Sequence, residues 1–431
     1  MREVIRLDER RTRRLGTLDL LARAAVEQRL AALQEGDLTL LDGSRRLRFG
    51  RPGHPLRATI TVHDPGLYRA VAFGGTVGAA EAYADGWWSA DDLVQLVRIV
   101  VRGGGAGTQL ENGLARLGTL ADRLSHALRP NSRSGARRNI RDHYDLGNDF
   151  FALFLDETLT YSCGIFERPG ATLAEASIAK LDRVCQKLQL GPQHHLLEIG
   201  CGWGSFALHA AGRYGCRVTA TTISREQHEV AARRVREAGL EGRVEVLRAD
   251  YRDLTGRYDR LASIEMIEAV GWEYYEAFFR ACSERLAPDG MMLVQAITLQ
   301  DQAFERRKRE ADFIKRHVFP GSCIPSVTAL CSAATRASDM RLFHLEDIGP
   351  HYAPTLRAWR ERLLARWAEA RALGKEESFL RMFEYYLAYC EAAFEERYIG
   401  DAQMLFVKPA CRRAALVPAL RQGASPVPSA A

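Results

Sequence analysis

The chain has 431 residues, of which 47% are hydrophobic and 26% charged, and its formal net charge is +6. This balance is typical of a globular protein of two or three domains and excludes a fibrous or largely disordered chain. No run of about 18 apolar residues occurs, so no membrane-spanning helix is expected. The nine cysteines contain no C-x-x-C pair, which predicts reduced thiols in a cytoplasmic protein and neither a metal site nor a disulfide framework.

The N-terminal part of the chain predicts a small α+β unit. Its strand-like segments, within residues 37–74, are LTLLDG, RLRFG and ATITVHD. A helix is predicted over 77–102, with Trp87 and Trp88 at its middle turn. The two tryptophans are interpreted as core residues, with lipid contact as the alternative.

The domain boundary is expected between residues 103 and 137, where helix-like text alternates with Gly, Pro and Ser. We therefore predict an N-terminal lipid-binding or dimerisation domain over 1–125 and a catalytic domain over 126–415. The Pro- and Ala-rich segment 416–431 predicts a disordered tail.

Strands and helices alternate from about residue 174 onwards. The predicted helices are EASIAKLDRVCQKLQL, SFALHAAGRYG, REQHEVAARRVREAGL and YYEAFFRACSERLAPDG. The predicted strands are HLLEIG, RVTATTIS, VEVLRADYRDL, RLASIEMIEAVG and GMMLVQAIT. This alternation predicts an α/β fold with a parallel, doubly wound sheet, whose ligands bind beyond the carboxyl ends of the strands.

The first strand–helix turn of this sheet is rich in glycine. It contains one acid and three glycines, Glu198, Gly200, Gly202 and Gly204. Glycines let the backbone approach a ligand closely at a helix N-terminus. The G-x-G-x-G spacing, preceded by an acid, resembles the class I methyltransferases that bind S-adenosylmethionine. A dinucleotide enzyme is the weaker alternative, because the second strand ends in Thr222, followed by Gln227, and not in an acid.

Asp250 and Tyr251 follow the third strand of the sheet. Their position at a strand end favours adenine recognition, with a carboxylate for the exocyclic amine and an aromatic wall for the ring. A turn aspartate beside a surface tyrosine is the alternative interpretation.

Seven ordered segments carry a family resemblance. They are RDHYDLGNDFFALFLDETLTYSCGIFE, LLEIGCGWGSFALHAA, TTISREQHE, ADYRDL, SIEMIEAVG, FIKRHVFPGSCIPS and HYAPTLRAWRERL. Together they resemble the cyclopropane-fatty-acyl-phospholipid synthases and the related mycolic acid methyltransferases. The segment YADGWW is similar to the N-terminal domain of the bacterial synthases, so the resemblance runs from about residue 35 to 410.

The resemblance implies methyl transfer from S-adenosylmethionine to a cis double bond of an unsaturated phospholipid. A carbocation forms on the acyl chain, and loss of a proton from the new methyl group closes a cyclopropane ring. Such a cation requires a site free of water, and the proton requires a positioned base. In this family the implied base is a bound bicarbonate.

The resemblance also implies which residues hold that bicarbonate. They are Glu268, Tyr352, Gln295 and the backbones of Cys163 and Ile297. Gln295 stands where the family commonly has histidine, which leaves a methyl-branched or methylated unsaturated product open as an alternative to the ring. Of the two acids in SIEMIEAVG, Glu268 is implied to orient the bicarbonate, and Glu265 is interpreted as a structural or rim residue.

For the cofactor, similarity places Tyr144, Tyr161 and Ser162 at the methionine end. It places along the nucleoside the glycine turn with Thr222 and Gln227, and then Asp250 and Tyr251. No metal ligand is predicted. A DNA amino-methyltransferase is disfavoured, because EMIEAVG stands where such enzymes carry an Asn/Asp-Pro-Pro-Tyr/Phe loop, so no nucleic acid partner is expected.

Arginine-rich segments lie within residues 2–14 and 129–141 and suit transient binding at the inner face of an anionic membrane. Residues 303–321 mix basic and apolar side chains and are interpreted as a lip of the acyl-chain pocket, with a solvated helix as the alternative. The resemblance also implies a homodimer. A lipid-binding protein without chemistry is a further alternative, disfavoured by the intact glycine turn and Glu268.

Overall fold

A computed structural model describes residues 16–103, 147–310 and 312–416. Within these ranges the chain forms a small N-terminal α+β unit and a larger α/β unit. No helix in the described part of the chain is long and apolar enough to cross a membrane. The predicted domain boundary, the arginine-rich segments at 2–14 and 129–141, and all but the first residue of the predicted tail lie outside the described residues.

The N-terminal unit packs three helices against a four-stranded sheet. The helices are α1 (Thr17–Ala31), α2 (Gly66–Ala84) and α3 (Leu93–Arg102). The strands are β1 (Asp37–Asp42), β2 (Arg45–Gly50), β3 (Arg57–Val62) and β4 (Trp88–Ala90), in the order β2-β1-β3-β4. Strands β1 and β3 are parallel and the other two pairs antiparallel.

The prediction of one helix over 77–102 is wrong. The chain leaves α2 after Ala84, turns through Gly86 at φ +74°, forms β4, and starts α3 behind Asp92, whose carboxylate caps the new helix. Trp88 lies in β4 and is only 4% exposed, and its indole N–H donates to the Ala79 carbonyl at 2.9 Å. The interpretation of Trp88 as a core residue is thus confirmed.

The larger unit is built on a seven-stranded sheet. Its strands are β5 (His195–Ile199), β6 (Arg217–Thr222), β7 (Val244–Arg248), β8 (Tyr258–Ile264), β9 (Leu286–Leu299), β10 (Arg341–Asp347) and β11 (Ile399–Val407). The strand order is β10-β11-β9-β8-β5-β6-β7. The predicted parallel arrangement is confirmed for β5 to β9, whereas β11 runs antiparallel to both β9 and β10.

Ten helices of the described residues surround this sheet. They are α4 (Asn148–Phe154), α5 (Leu173–Lys187), α6 (Ser205–Tyr214), α7 (Arg225–Glu237), α8 (Tyr275–Arg285), α9 (Asp301–Arg307), α10 (Val327–Ala337), α11 (Tyr352–Ala365), α12 (Trp367–Ala372) and α13 (Glu377–Glu395). Alternating strands and amphipathic helices bury apolar residues on both faces of the sheet. The strand predicted to run to residue 271 ends at Ile264, because the next residue, Glu265, has φ +48°.

Helix α13 joins the two units. The Arg381 guanidinium donates to the backbone carbonyls of Tyr83, at 2.7 Å, and Trp88, at 3.0 Å. It also lies 4.2 Å from the centroid of the Tyr83 ring, a cation–π distance. Just beyond the end of α13, Glu396 pairs with Arg98 of α3 at 2.6 Å. The N-terminal unit is thus fastened to a helix that also contributes to the site.

Candidate active site

A cavity of about 340 Å³ opens at the carboxyl ends of the parallel strands. Its lining includes twelve of the predicted site residues: Tyr161, Ser162, Glu198, Gly200, Gly202, Thr222, Gln227, Asp250, Tyr251, Glu268, Ile297 and Tyr352. Gly204, Cys163 and Gln295 were also predicted to contact ligands but do not line it. Tyr144 lies outside the described residues.

Two glycines of the glycine turn are required for steric reasons. Gly200 has φ +86°, and a Cβ there would lie 2.6 Å from the Cγ of Met266. Gly204 also has φ +86° and precedes α6, but an added Cβ would lie 3.2 Å from the Cβ of Ala231, on a neighbouring helix. Gly204 therefore allows two helices to pack and does not line the cofactor cavity as predicted.

The next strand end holds a buried polar pair. The Thr222 hydroxyl donates to the Gln227 side-chain oxygen at 2.8 Å, and Ser224 caps the helix that carries Gln227. Asp250 lines the cavity as predicted, and both of its carboxylate oxygens accept hydrogen bonds from the Arg252 side chain, at 2.8 and 2.7 Å. Arg252 thus fixes the orientation of this carboxylate, and adenine recognition by Asp250 stays a prediction.

A buried lysine, which the sequence did not single out, lies among the cavity residues. Lys180 is 1% exposed and donates to the Ser162 hydroxyl at 2.8 Å. Burial lowers the pKa of Lys180, and it raises the pKa of nearby Glu198 to about 8. A lysine on the apolar face of the amphipathic helix α5 was the available signal, since a lysine is rarely fully buried unless paired.

Glu265, interpreted from the sequence as a structural or rim residue, is the centre of the polar network and lines the cavity. Its Oε1 accepts hydrogen bonds from the Cys163 backbone N–H at 2.9 Å and from the Gln295 side-chain amide at 2.7 Å. Its Oε2 accepts one from the Tyr352 hydroxyl at 2.6 Å. Burial, and then the charge of Glu265, raise the pKa of Tyr352, so this hydroxyl stays protonated and donates.

The same donors were predicted to bind bicarbonate. Cys163, Gln295 and Tyr352 all donate to Glu265, and the Ile297 backbone N–H donates to Glu268 at 2.6 Å. Glu265 and Glu268 thus use the hydrogen-bond donors predicted for a small anion, and a further anion beside them would be repelled by an ionised Glu265. The residues present do not fit a bound bicarbonate.

Gln295 is oriented by a chain of amides behind the cavity. Its side-chain oxygen accepts from Gln403 at 3.0 Å, and the Gln403 oxygen accepts from Lys187 at 2.8 Å. The NH₂ group of Gln295 must therefore face the carboxylates, where it also donates to Asp401 at 3.1 Å. This chain explains how a glutamine serves where the family commonly has histidine.

The other two acids of the cluster hold their protons more tightly than usual. Burial, and then the charge of Glu265, raise the pKa of Glu268 to about 8. The same two causes raise the pKa of Asp401 well above its usual range. Glu268 Oε2 is buried and has no hydrogen-bond partner among the described residues. The surroundings of Glu268 and Asp401 therefore favour the protonated form of both carboxyl groups.

Aromatic side chains form the apolar part of the cavity. Tyr386, Tyr389 and Phe394 of α13 line it, and Phe394 stacks on Tyr352 with ring centroids 4.3 Å apart. The segment interpreted as a lip contributes six lining residues: Arg307, Asp312, Ile314, Lys315, Phe319 and Pro320. These contacts place part of the segment 303–321 at the cavity, and its role as a lip for an acyl chain stays a prediction.

The fold and the glycine-rich cavity define a class I S-adenosylmethionine-dependent methyltransferase. The mycolic acid cyclopropane synthase CmaA1, in a complex with SAH and CTAB, aligns with a TM-score of 0.59 and 35% identity over 63% of this chain and 98% of that one. The cyclopropane synthase MmaA2 of Mycobacterium tuberculosis gives a TM-score of 0.59 and 34% identity over the same shares. The predicted fold class and the S-adenosylmethionine cofactor are thereby confirmed.

The family follows from sequence comparison. The model of the mycolic acid cyclopropane synthetase family matches residues 131–404. The cyclopropane-fatty-acyl-phospholipid synthase of Escherichia coli (strain K12) is 37% identical over 352 residues, 81% of this chain and 87% of that one. The tuberculostearic acid methyltransferase UfaA1 of Mycobacterium tuberculosis (strain ATCC 25618 / H37Rv) is 36% identical over 362 residues, covering 82% and 84%. The chain belongs to the mycolic acid cyclopropane synthetase family, as the sequence predicted.

Proposed function

We propose that the protein transfers a methyl group from S-adenosylmethionine to a cis double bond of an unsaturated phospholipid acyl chain and closes a cyclopropane ring. The observation that carries the proposal is one cavity lined by two kinds of residue. It contains the glycine turn and strand ends suited to the cofactor, together with an aromatic wall and a carboxylate cluster suited to an acyl chain and a proton.

The cofactor, when bound, supplies an electrophilic methyl group on a sulfonium. Gly200 and Gly202 leave room for its approach, and Tyr161 and Tyr352 offer ring faces that favour positive charge. The apolar side chains of Phe319 and Phe394 exclude water from the acyl chain. Water would otherwise add to the carbocation and give an alcohol.

A membrane phospholipid suits the cations of the lip. Arg307 and Lys315 line the cavity, and Arg316 and His317 next to them pair with Glu81 of the N-terminal unit. Positive side chains beside an apolar cavity match a lipid with an anionic phosphate. We infer that the enzyme acts in the cytoplasm and visits the inner face of the membrane reversibly. The homodimer and the division at residue 125 stay predictions.

A second product is favoured by one of the relatives. UfaA1 is named a tuberculostearic acid methyltransferase, and its name mentions no ring. The same active site would then produce a methyl-branched or a methylated unsaturated acyl chain.

The experiment is product analysis by gas chromatography–mass spectrometry. The protein is incubated with S-adenosylmethionine and vesicles of a cis-unsaturated phospholipid, with omission of the cofactor as the control. A ring adds CH₂ and removes the alkene, so the product resists dimethyl disulfide. An added CH₂ with the alkene retained supports the second product in its methylated unsaturated form. A saturated methyl branch would in addition require a hydride donor, which is supplied in a parallel incubation with a reduced nicotinamide. No mass increase in the acyl chain would contradict both.

A further inference from the structure

We propose that Glu265 is the built-in base of this enzyme and takes the place of the bicarbonate implied by the family resemblance. The inference rests on the proposed function, since a base is needed only if a proton leaves the transferred methyl group. It concerns which group removes that proton and what the enzyme requires from its medium.

Geometry is the first argument. Three donors converge on the Glu265 carboxylate at 2.6 to 2.9 Å, from a backbone N–H, an amide and a phenol. An ionised carboxylate accepts hydrogen bonds and donates none, so three donors match its charged form. Glu265 also lines the cavity, whereas Cys163 and Gln295 stand behind it. The carboxylate is thus fixed by donors on one side and faces the reaction space on the other.

The backbone at this position gives an independent argument. Glu265 has φ +48°, in the left-handed region that residues other than glycine seldom adopt, and its N–H donates to the Gln295 carbonyl at 2.8 Å. Strain of this kind persists where the surroundings enforce it and clusters at functional sites. Strand β8 ends one residue earlier, so this conformation directs the side chain to the Cys163 N–H.

Neighbouring acids are less suited to the role. Burial and the charge of Glu265 oppose the ionisation of both Glu268 and Asp401 and raise the pKa of each. Glu198 lies in the same cavity and burial raises its pKa to about 8 as well. Glu265 is the member of this cluster that is surrounded by donors.

The proton step balances without another reagent. The alkene π pair forms a bond to the methyl carbon, the C–S bond breaks with its electrons on sulfur, and the second alkene carbon becomes cationic. A Glu265 oxygen then takes one methyl proton, and the C–H pair forms the second bond of the ring. S-adenosylhomocysteine and the cyclopropane leave, and protonated Glu265 returns the proton to water.

The first test removes bicarbonate. Turnover of the wild-type enzyme on unsaturated phospholipid vesicles is measured in buffer freed of carbon dioxide and after re-addition of bicarbonate. We expect the two rates to agree within about twofold, because no step uses the anion. A wild-type rate that collapses on depletion and recovers on re-addition would overturn the proposal.

The second test replaces the carboxylate. In Glu265→Gln we expect kcat to fall by about hundredfold or more, the scale of lost proton transfer, with the cofactor Kd from calorimetry nearly unchanged. The matched control is Glu229→Gln, on the outer face of α7 with a side chain 66% exposed, which should keep wild-type kcat. Glu265→Gln with near wild-type turnover would rule out the assignment.

The third test removes the Glu265 side chain, so that an added anion can accept hydrogen bonds from the three donors. Glu265→Gly keeps the left-handed backbone without strain and frees the three donors. Bicarbonate should raise the melting temperature of this variant and restore at least part of its turnover, while leaving the wild-type melting temperature unchanged. A Glu265→Gly protein that responds to bicarbonate in neither measurement would show that these donors do not form an anion site.

The two proposals fail in different ways. If the wild-type protein binds the cofactor but modifies no acyl chain in any buffer, the proposed function is wrong. The melting-temperature comparison needs no lipid and still decides whether Glu265 occupies an anion site.

Discussion

Replacing Glu268 by glutamine should alter how the stability of the protein depends on pH. The pKa of Glu268 is raised from 4.5 to about 8 by burial and by the charge of Glu265. Between these values the folded state keeps a proton that the unfolded state has released, so wild-type stability falls as pH rises through this window. Each pH unit is worth about 1.4 kcal/mol, and the whole window at most about 5 kcal/mol.

Glutamine retains the shape and an oxygen for the Ile297 N–H but cannot ionise. Glu268→Gln should therefore gain stability relative to wild type as pH rises, by up to about 1.4 kcal/mol per unit, and the gain should level off above about pH 8. Urea midpoints followed by circular dichroism between about pH 5 and about pH 8 measure it. Glu229→Gln serves as the exposed control and should track wild type. Parallel curves for wild type and Glu268→Gln would refute the burial argument.

Three further substitutions test other parts of the structure. Gly200→Ala should weaken cofactor binding by about tenfold or more, because the added Cβ would lie 2.6 Å from the Met266 side chain. Calorimetry measures the cofactor affinity. Gly43→Ala, at φ +58° with open space around the added Cβ, controls for backbone strain. Tyr352→Phe removes one donor to the base and should cost about 1 kcal/mol of stability and lower kcat more than it changes the cofactor Kd; unchanged kcat would contradict the network. Arg381→Ala breaks two hydrogen bonds to the N-terminal unit and should make that unit more sensitive to limited proteolysis; an unchanged digestion rate would show that other contacts suffice.

The sheet could be predicted because alternating strands and amphipathic helices leave a period in the sequence. The errors in the predicted helix and strand occur where the backbone conformation of a single residue ends the element. The predicted helix over 77–102 is interrupted at Gly86, and the predicted strand after 260 stops at Glu265, both at positive φ. Strands β10 and β11 are missed because their antiparallel pairing depends on contacts between distant parts of the chain.

The cofactor half of the site could be predicted because its residues lie in short local motifs at the strand ends. The proton half could not, since its donors come from three separated segments that contain Cys163, Gln295 and Tyr352. The family resemblance identified the donor residues but did not show that they donate to Glu265. The signal that could have identified Glu265 was its place directly after a buried strand, where a carboxylate is either exposed, paired or used.

The charge of the cavity follows from this arrangement. Three acids, Glu198, Glu265 and Asp401, interact with the buried Lys180, and Glu268 interacts with Glu265. Burial raises the pKa of Glu198, Glu268 and Asp401. Ionising all four would leave several like charges in a dry space, at a cost that no single lysine offsets. Concentrating the charge on Glu265, where three donors stabilise it, leaves one anion facing the position at which a carbocation develops. The same carboxylate can then stabilise that cation electrostatically before it accepts the proton.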